Sequence, residues 1–421
     1  MNNRRQVLAG LVGLGLAGPA LAQTDSLVAD SEADQSSAFQ AALHAASGTG
    51  YLRLPAGRFR VSGIQFPRNL VVEGVPGATW LVGMGAPVGA ISGQASVVLR
   101  DIGFAGDSGA DALLRLQSSQ GVVIERCLFR DSPDTALNIY ESDAVVRDCD
   151  FASHGDAAIH AVDNLGLLLS GNRITRCGNA GIRVWRSEAG PDGSIVVNNR
   201  ISNIDWRDGG NGQNGNGINV YLADQVIVAD NHIADCAFTA VRLNTTRNTQ
   251  VSGNQCLNSG EVAIFSEFGF SGSVIANNIV DGAAGGISIT NMDSGGEVAV
   301  CNGNIVRNIA VRSEVNPDTT PFGIFAEADA AITGNMVENV PGIAIGAGWG
   351  PYLRNVVIAN NVVTASRIGI GVSVAEGAGN VSISGNRVDA SEHAIAGMAW
   401  SDVVAPDLLA SAADYPNVSV R

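Results

Sequence analysis

The chain has 421 residues, 46% of them hydrophobic but only 15% charged and 5% aromatic, with 52 glycines and a formal net charge of −15. That hydrophobic content excludes a disordered chain. Every one of the 25 basic side chains is arginine, and so sparse a cationic complement argues against a nucleic-acid partner, which needs a basic footprint.

The N-terminus reads as an export signal. Asn3-Arg4-Arg5-Gln6-Val7-Leu8 precedes an apolar, glycine-rich run from Ala9 to Ala17, and Ala20-Leu21-Ala22 offers a small-residue cleavage site. The arginine pair resembles a twin-arginine leader over 1–22, with an ordinary secretory signal as the alternative. The apolar run falls short of the ~20 residues that a membrane span needs, and no cysteine stands near the cleavage site to carry a lipid. A soluble periplasmic or secreted protein with no membrane span is expected.

Residues 23–50 form the next segment. Asp34 is placed to cap a helix running to Ala46, in which Phe39, Ala42, Leu43 and Ala46 fall on one face. Short strand patterns follow at 51–59 and 70–74, joined by Pro-Gly turns.

From about residue 95 the sequence repeats. A corner of the form (Gly/Asn/Asp)-Asn recurs at Asn172, Asn199, Asn231, Asn254, Asn278, Asn304, Asn335, Asn361 and Asn386, with Cys127 and Cys149 in the same slot earlier. Between the corners stand apolar-x-apolar triplets such as Ile159-His160-Ala161, Ile182-Arg183-Val184 and Ile218-Asn219-Val220. Period-2 alternation over so few residues, broken by turn formers, indicates strands rather than helix. A unit this small cannot bury its own apolar face, so units must stack. The expectation is an all-β, right-handed parallel β-helix over 51–398, a solenoid of ten or more coils with three short strands in each and an N-terminal capping helix. Asparagine tolerates left-handed geometry at a bend and can hydrogen-bond to its copy one coil on, so the corners read as structural. The segment 399–421 loses the repeat, and a short helix over Asp407–Asp414 would cover the far end. The six cysteines lie in or beside repeat strands and read as small core residues. None has zinc-ligand spacing, and only Cys127 and Cys149 are placed for a bridge.

Phe39-Gln-Ala-Ala-Leu-His-Ala-Ala, Leu-Arg-Leu-Pro-Ala-Gly-Arg-Phe over 52–59 and Val-Val-Glu-Gly over 71–74, followed by many coils, resemble the pectate-lyase-like right-handed β-helix superfamily. The leader, the glycine-rich stretch 209–220 and Phe265-Ser-Glu-Phe-Gly-Phe resemble a family of twin-arginine-exported bacterial repeat proteins with no assigned reaction. The superfamily resemblance implies lyases, polygalacturonases, alginate epimerases or tailspikes. The chain lacks the Gly-His-Gly and Arg-x-Lys of polygalacturonases and the Asp-Pro-His-Asp of alginate epimerases. Ser132-Pro133-Asp134 is only a faint echo of the last, so no catalytic residue carries over.

The middle residue of each triplet faces outward. Stacking aligns Asn138, His160, Arg183, Asn219, Arg242, Phe265, Ser288, Phe325, Ala344 and Gly371. Two residues on, it aligns Tyr140, Val162, Trp185, Tyr221, Asn244, Glu267, Thr290, Glu327, Gly346 and Ser373. Side chains are large and polar or aromatic up to Glu267 and small beyond Glu327. Two apparent insertions, 186–194 and 205–217, flank the larger part. This predicts a sugar-binding groove in which Asp208, Tyr221, Arg242 and Glu267 are the candidate catalytic groups and His160, Arg183, Trp185, Asn219 and Asn244 bind substrate. Aromatic faces suit sugar rings and a free arginine clamps a carboxylate. Asp205, Asp208 and Glu267 are the acids near the floor. The expected partner is an acidic polysaccharide, acted on by a lyase or hydrolase, with no metal or other cofactor. The alternative is a non-catalytic envelope or glycan-binding solenoid.

Overall fold

A computed structural model describes residues 26–106, 109, 111–210, 212–290 and 296–421. The expected leader over 1–22 lies outside them. The chain winds into an all-β solenoid of stacked parallel strands. One parallel sheet has 15 strands in strict order of coils, and 26 more strands form the remaining walls. A typical coil contributes three strands, as in Val122–Glu125, Leu128–Arg130 and Thr135–Tyr140. Towards the C-terminus the second and third strands fuse into long bent ones, Met336–Ala347, Val362–Ser373 and Arg387–Ala399.

Register makes the interior. Leu137, Ile159, Ile182, Ile218, Val241, Ile264, Ile287, Ile324, Ile345 and Ile370 pair in one continuous inward column, and each is fully buried. Phe104, Phe129 and Phe151 stack at 5.0 and 4.5 Å in another. A buried side chain of this size contributes about 1.5–3 kcal/mol, so each coil's apolar residues are stabilised only where the next coil covers them.

The corner asparagines form a hydrogen-bonded ladder. From Asn172 to Asn361, each donates its backbone N–H and its Nδ2 to the Oδ1 of the next, at 2.9–3.0 Å. The same Nδ2 also donates to a backbone carbonyl one coil back, for example Asn254 to Val228 at 3.0 Å. The backbone N–H of Cys149 begins the series on Asn172. The left-handed residue is not the ladder asparagine but the one before it: Gly171, Asn198, Asp230, Gly253, Asn277, Gly303, Gly334, Asn360 and Gly385 all have φ near +60°. That divides the expected role of the motif. Its first position turns the chain, and its second position stacks.

Helix α1 (Ser36–Ala46) buries Phe39, Ala42, Leu43 and Ala46 against the opening strands, and Gln40 bonds across to the backbone of Gln65. The helix begins two residues later than expected. Asp34 accepts from Ser36 N–H in a turn before the helix, so it does not cap it. At the other end, helix α2 (Leu408–Ser411) is capped by Asp407, buries Leu408, and is followed by a 3-10 turn at Ala412–Asp414. The tail rejoins the solenoid, because Val418–Val420 pairs in parallel with Val381–Ile383.

All six cysteines are free and buried, and burial pushes the thiols of Cys177, Cys256 and Cys301 up to about 12. Cys127 and Cys149 sit one coil apart without a bridge. Among the described residues no helix is long and apolar enough to cross a membrane.

Asn254→Ala removes two acceptor and three donor contacts in the buried ladder. It is expected to cost about 2–4 kcal/mol in urea denaturation, and more than Asn386→Ala at the ladder's half-buried end.

Candidate functional site

The site grows from a column of residues three positions before the inward triplets: Asp134, Asp156, Asn179, Gly215, Phe238 and Glu261. Backbone bonds stack them coil on coil, Asp156 N–H on Asp134 C=O at 3.2 Å and Asn179 N–H on Asp156 C=O at 3.0 Å, continuing through Gly215 and Phe238 to Glu261. The turn before the column is very close. A Cβ on Gly155 would lie 1.8 Å from Pro133 C=O, and one on Gly178 equally close to Gly155 C=O. Only glycine lets these coils approach, and the approach sets two aspartates side by side.

Their surroundings differ. The Asp156 carboxylate accepts from both Arg183 amines at 2.6 and 2.8 Å and from Asn179 Nδ2 at 3.0 Å. The Thr135 hydroxyl lies 3.1 Å from Asp156 and 3.5 Å from Asp134. Burial pushes Asp156 up, but the Arg183 bonds and charge, with Asn179 and Thr135, more than offset it and hold the carboxyl below its ordinary value. Asp134 is raised, first by burial and then by the Asp156 charge. A third carboxylate, Asp208, accepts from the same Asn179 Nδ2 at 2.7 Å. The Asp134 turn is held from below, where Ser132 N–H bonds Nδ1 of the buried His154 at 3.3 Å. Burial depresses that imidazole to about 3, so it stays neutral.

The glycine-rich loop after Ile204 lies over the outward face and divides it. Its anchors are Asp208 N–H on Asn179 Oδ1 at 2.9 Å, Asn214 on Arg183 at 3.0 Å, Asn216 Nδ2 on Gly212 C=O at 2.7 Å, and Trp206 against Phe238 at 4.9 Å. A Cβ on Gly212 would lie 2.5 Å from the Arg242 guanidinium carbon, so the loop rests directly on that arginine. On one side is an open cleft of about 500 Å³ lined by Asp134, Asp156, Arg183, Trp185, Asp208 and Asn214, among others. On the other is a pocket of about 270 Å³ lined by Trp185, Asn219, Tyr221, Arg242, Asn244 and Glu267, with Gly212, Gln213 and Phe268. Trp185 borders both.

The expected groove therefore exists, but as two compartments. Arg183, Trp185 and Asp208 belong to the cleft; Asn219, Tyr221, Arg242, Asn244 and Glu267 belong to the pocket with Trp185. His160 lines neither. It packs edge-on between Tyr140 and Trp185, and burial and the Arg183 charge lower it to about 4, so it is neutral at pH 7 and carries no charge to a substrate.

The largest corrections concern the arginines. Arg183 is tied to Asp156. Arg242 is tied to Glu267 at 2.6 and 2.9 Å and to Glu261 at 3.1 Å, and Arg242, Glu261 and Glu267 are all buried. Neither guanidinium is free to clamp a substrate carboxylate. Arg242 and Glu267 form a buried ion pair on the wall of the pocket, and burial outweighs the Arg242 charge so that the Glu267 carboxyl is raised. Asp205 is exposed and ion-paired with Arg207. The supposed insertion at 186–194 is largely strand, because Ala180–Pro191 continues past a register shift to pair Gly190 with Ala223. Ala344 is buried and off the outward ladder, since Phe325 pairs with Gly346, which pairs with Gly371.

Asp134 and Asp156 stand outside the triplets that mark the outward ladders. Their signal is positional: each stands three residues before an inward triplet and just after a turn. Among the described residues, no three His, Cys, Asp or Glu side chains gather as a metal site.

Comparison with known proteins agrees with this architecture. A search of curated protein sequences gives no significant match. Among solved structures, the chain is similar to a PL6 alginate lyase in complex with a trisaccharide (TM-score 0.54, 14% identity, covering 94% of this chain and 92% of that one). It is similar to the catalytic unit of a GH87 α-1,3-glucanase from Streptomyces thermodiastaticus (TM-score 0.54, 14% identity, 92% and 70% covered). It is also similar to the N-terminal fragment of the bacteriophage Phi29 gene product 12 (TM-score 0.54, 12% identity, 91% and 73% covered). At such identities the likeness speaks for the fold alone. The model of the right handed beta helix region matches residues 91–212 and 185–308, together more than half of the chain, which therefore belongs to the right-handed β-helix family.

Proposed function

We propose that this protein is a glycoside hydrolase that cleaves an uncharged polysaccharide in the cleft at Asp134, Asp156 and Asp208. The observation that carries the reading is the pair of stacked aspartates pushed in opposite directions, Asp134 upward and Asp156 downward. Glycosidic hydrolysis needs one protonated and one ionised carboxyl flanking the bond. Asp134 gives its proton to the departing glycosidic oxygen. An Asp156 oxygen bonds to the anomeric carbon as the glycosidic bond breaks. A water then gives a proton to Asp134 and its oxygen to the sugar, freeing Asp156. This is the retaining course that carboxyls on neighbouring strands ~4.8 Å apart suit. Asp208, joined to Asp156 through Asn179, helps orient that water, and Trp185 offers a ring face to a neighbouring sugar.

Charge sets the substrate class. The cleft lining carries three aspartates against Arg183 alone, and Arg183 is already bonded to Asp156. A carboxylated sugar would meet uncompensated negative charge, so an uncharged glycan fits better than an acidic one. Among the structural neighbours, the α-1,3-glucanase and the alginate lyase are named for polysaccharides of each kind. The reading includes export by the Arg4-Arg5 leader, which fractionation of cells expressing the full chain tests.

Asp134→Asn and Asp156→Asn are each expected to lower kcat by about 10²–10⁴ on whichever neutral glycan in a screen the wild type cleaves. Unchanged turnover by both variants would move the catalysis away from this cleft, and no cleavage of any screened glycan by the wild type would leave a non-catalytic solenoid. The pH profile follows from the signs. Activity falls as pH drops through the depressed pKa of Asp156, which must be ionised, and falls as pH rises through the elevated pKa of Asp134, which must be protonated, so the optimum is acidic. Glu267→Ala is expected to act differently. It removes two of the three carboxylate bonds of the buried Arg242 and leaves Glu261 as its partner, at a cost of about 1–3 kcal/mol of stability, read as a lower unfolding midpoint.

A further inference from the structure

Beyond Glu327 the outward ladders become small, and there the solenoid opens a further concavity, of about 300 Å³. Its floor follows from the register Phe325–Gly346–Gly371. A Cβ on Gly346 would meet the Phe325 ring at 2.3 Å, so the ring lies flat over a residue with no side chain. Phe322 packs against Phe325 at 5.9 Å, and Trp349 against Trp400 at 5.6 Å and 78°. Met398 and the Pro341–Ile343 corner complete the walls.

Trp400 is the unusual member. It occupies the turn between the antiparallel strands Arg387–Ala399 and Asp402–Ala405, with φ of +57°. Glycine or asparagine adopts that geometry readily. A bulky residue there costs about 1–2 kcal/mol. The ring lies over Gly350, where a Cβ would meet it at 2.5 Å. Yet Trp400 remains 49% exposed and Trp349 38%, so burial gives back little of the conformational cost. The same left-handed φ recurs at other exposed apolar side chains such as Phe268 and Val298, so what marks the trough is the pair of exposed tryptophan rings standing together over a glycine. The one charged residue of the lining, Arg367, is bonded to Glu392 at 2.8 Å, so the trough is electrically neutral.

We propose that this trough is a second glycan-binding site, which receives the apolar faces of pyranose rings from a distant stretch of the same uncharged polysaccharide that the Asp134–Asp156 cleft cleaves; the identity of the ligand rests on that reading. The trough opens on the same outward ladders as the cleft. Five strand steps separate Trp185 from the Phe325 strand, roughly 24 Å at 4.8 Å per step. A trisaccharide in the cleft does not span that distance, and a polymer running along the axis does.

The test is affinity electrophoresis of the full chain in native gels containing dextran, glycogen, barley β-glucan or galactomannan. The wild type is expected to be retarded by at least one of them, and Asp156→Asn retarded equally. The double variant Trp349→Ala, Trp400→Ala is expected to bind roughly tenfold more weakly or worse while still cleaving a trisaccharide at the wild-type rate. Trp400→Gly relaxes the turn and should keep the melting temperature while losing retardation, which separates a ligand role from a folding one. Retardation that survives loss of both tryptophans, absence of retardation by all four polysaccharides, or a changed oligomeric state with unchanged retardation would each overturn the proposal. Retardation dependent on the tryptophans but without cleavage of any glycan would overturn the hydrolase reading alone.

Discussion

Each ladder asparagine uses one amide in two directions. Its oxygen accepts from the coil before it, and its nitrogen donates to the coil after it and to a carbonyl one coil back. A buried amide that missed any of these partners would leave a polar group without water or protein to satisfy it. The ladder therefore does more than join neighbouring coils. It fixes the phase of every coil relative to the next, and an error of one residue would bury the outward column and expose the inward one. The outward residues form columns because the asparagines leave no other register.

That phase locking brings Asp134 and Asp156 together. In an irregular fold, two aspartates 22 residues apart would need elaborate support to stand together with unlike proton affinities. Here successive coils set them at the strand spacing, and the difference between them follows from which one Arg183 reaches. Arg183 turns back one coil to Asp156, whereas Arg242 turns forward to Glu267 and sideways to Glu261. One arginine tunes an open acid pair, and the other becomes a buried support for the loop that separates cleft from pocket. They occupy the same ladder two steps apart, and their neighbours decide their roles.

The same contrast explains what the sequence disclosed. Period, strand content, the asparagine corners and the outward columns are local patterns repeated many times, so they are legible in the sequence, and so was the face on which Trp185, Tyr221 and Asp208 gather. The partner of a long side chain is not local. Nothing in Ile182-Arg183-Val184 or Val241-Arg242-Leu243 tells which way the guanidinium swings, and both looked free. Ala344 falls off the ladder because Ile345-Gly346-Ala347 is a second apolar-x-apolar triplet two residues on, and it is Ile345, not Ile343, that pairs with Ile324. Asp134 and Asp156 lay one column away from the one being read, at a turn whose closeness depends on Gly155 and Gly178 approaching carbonyls of the preceding coil.

A solenoid locked by such a ladder also measures length. Because every coil repeats the same contacts, adding or removing a whole coil between the cleft and the aromatic trough would leave both ends chemically intact. It would change only their separation, in increments of about 4.8 Å. The distance between two places on this surface is thus a discrete quantity, set by the number of corner asparagines between them.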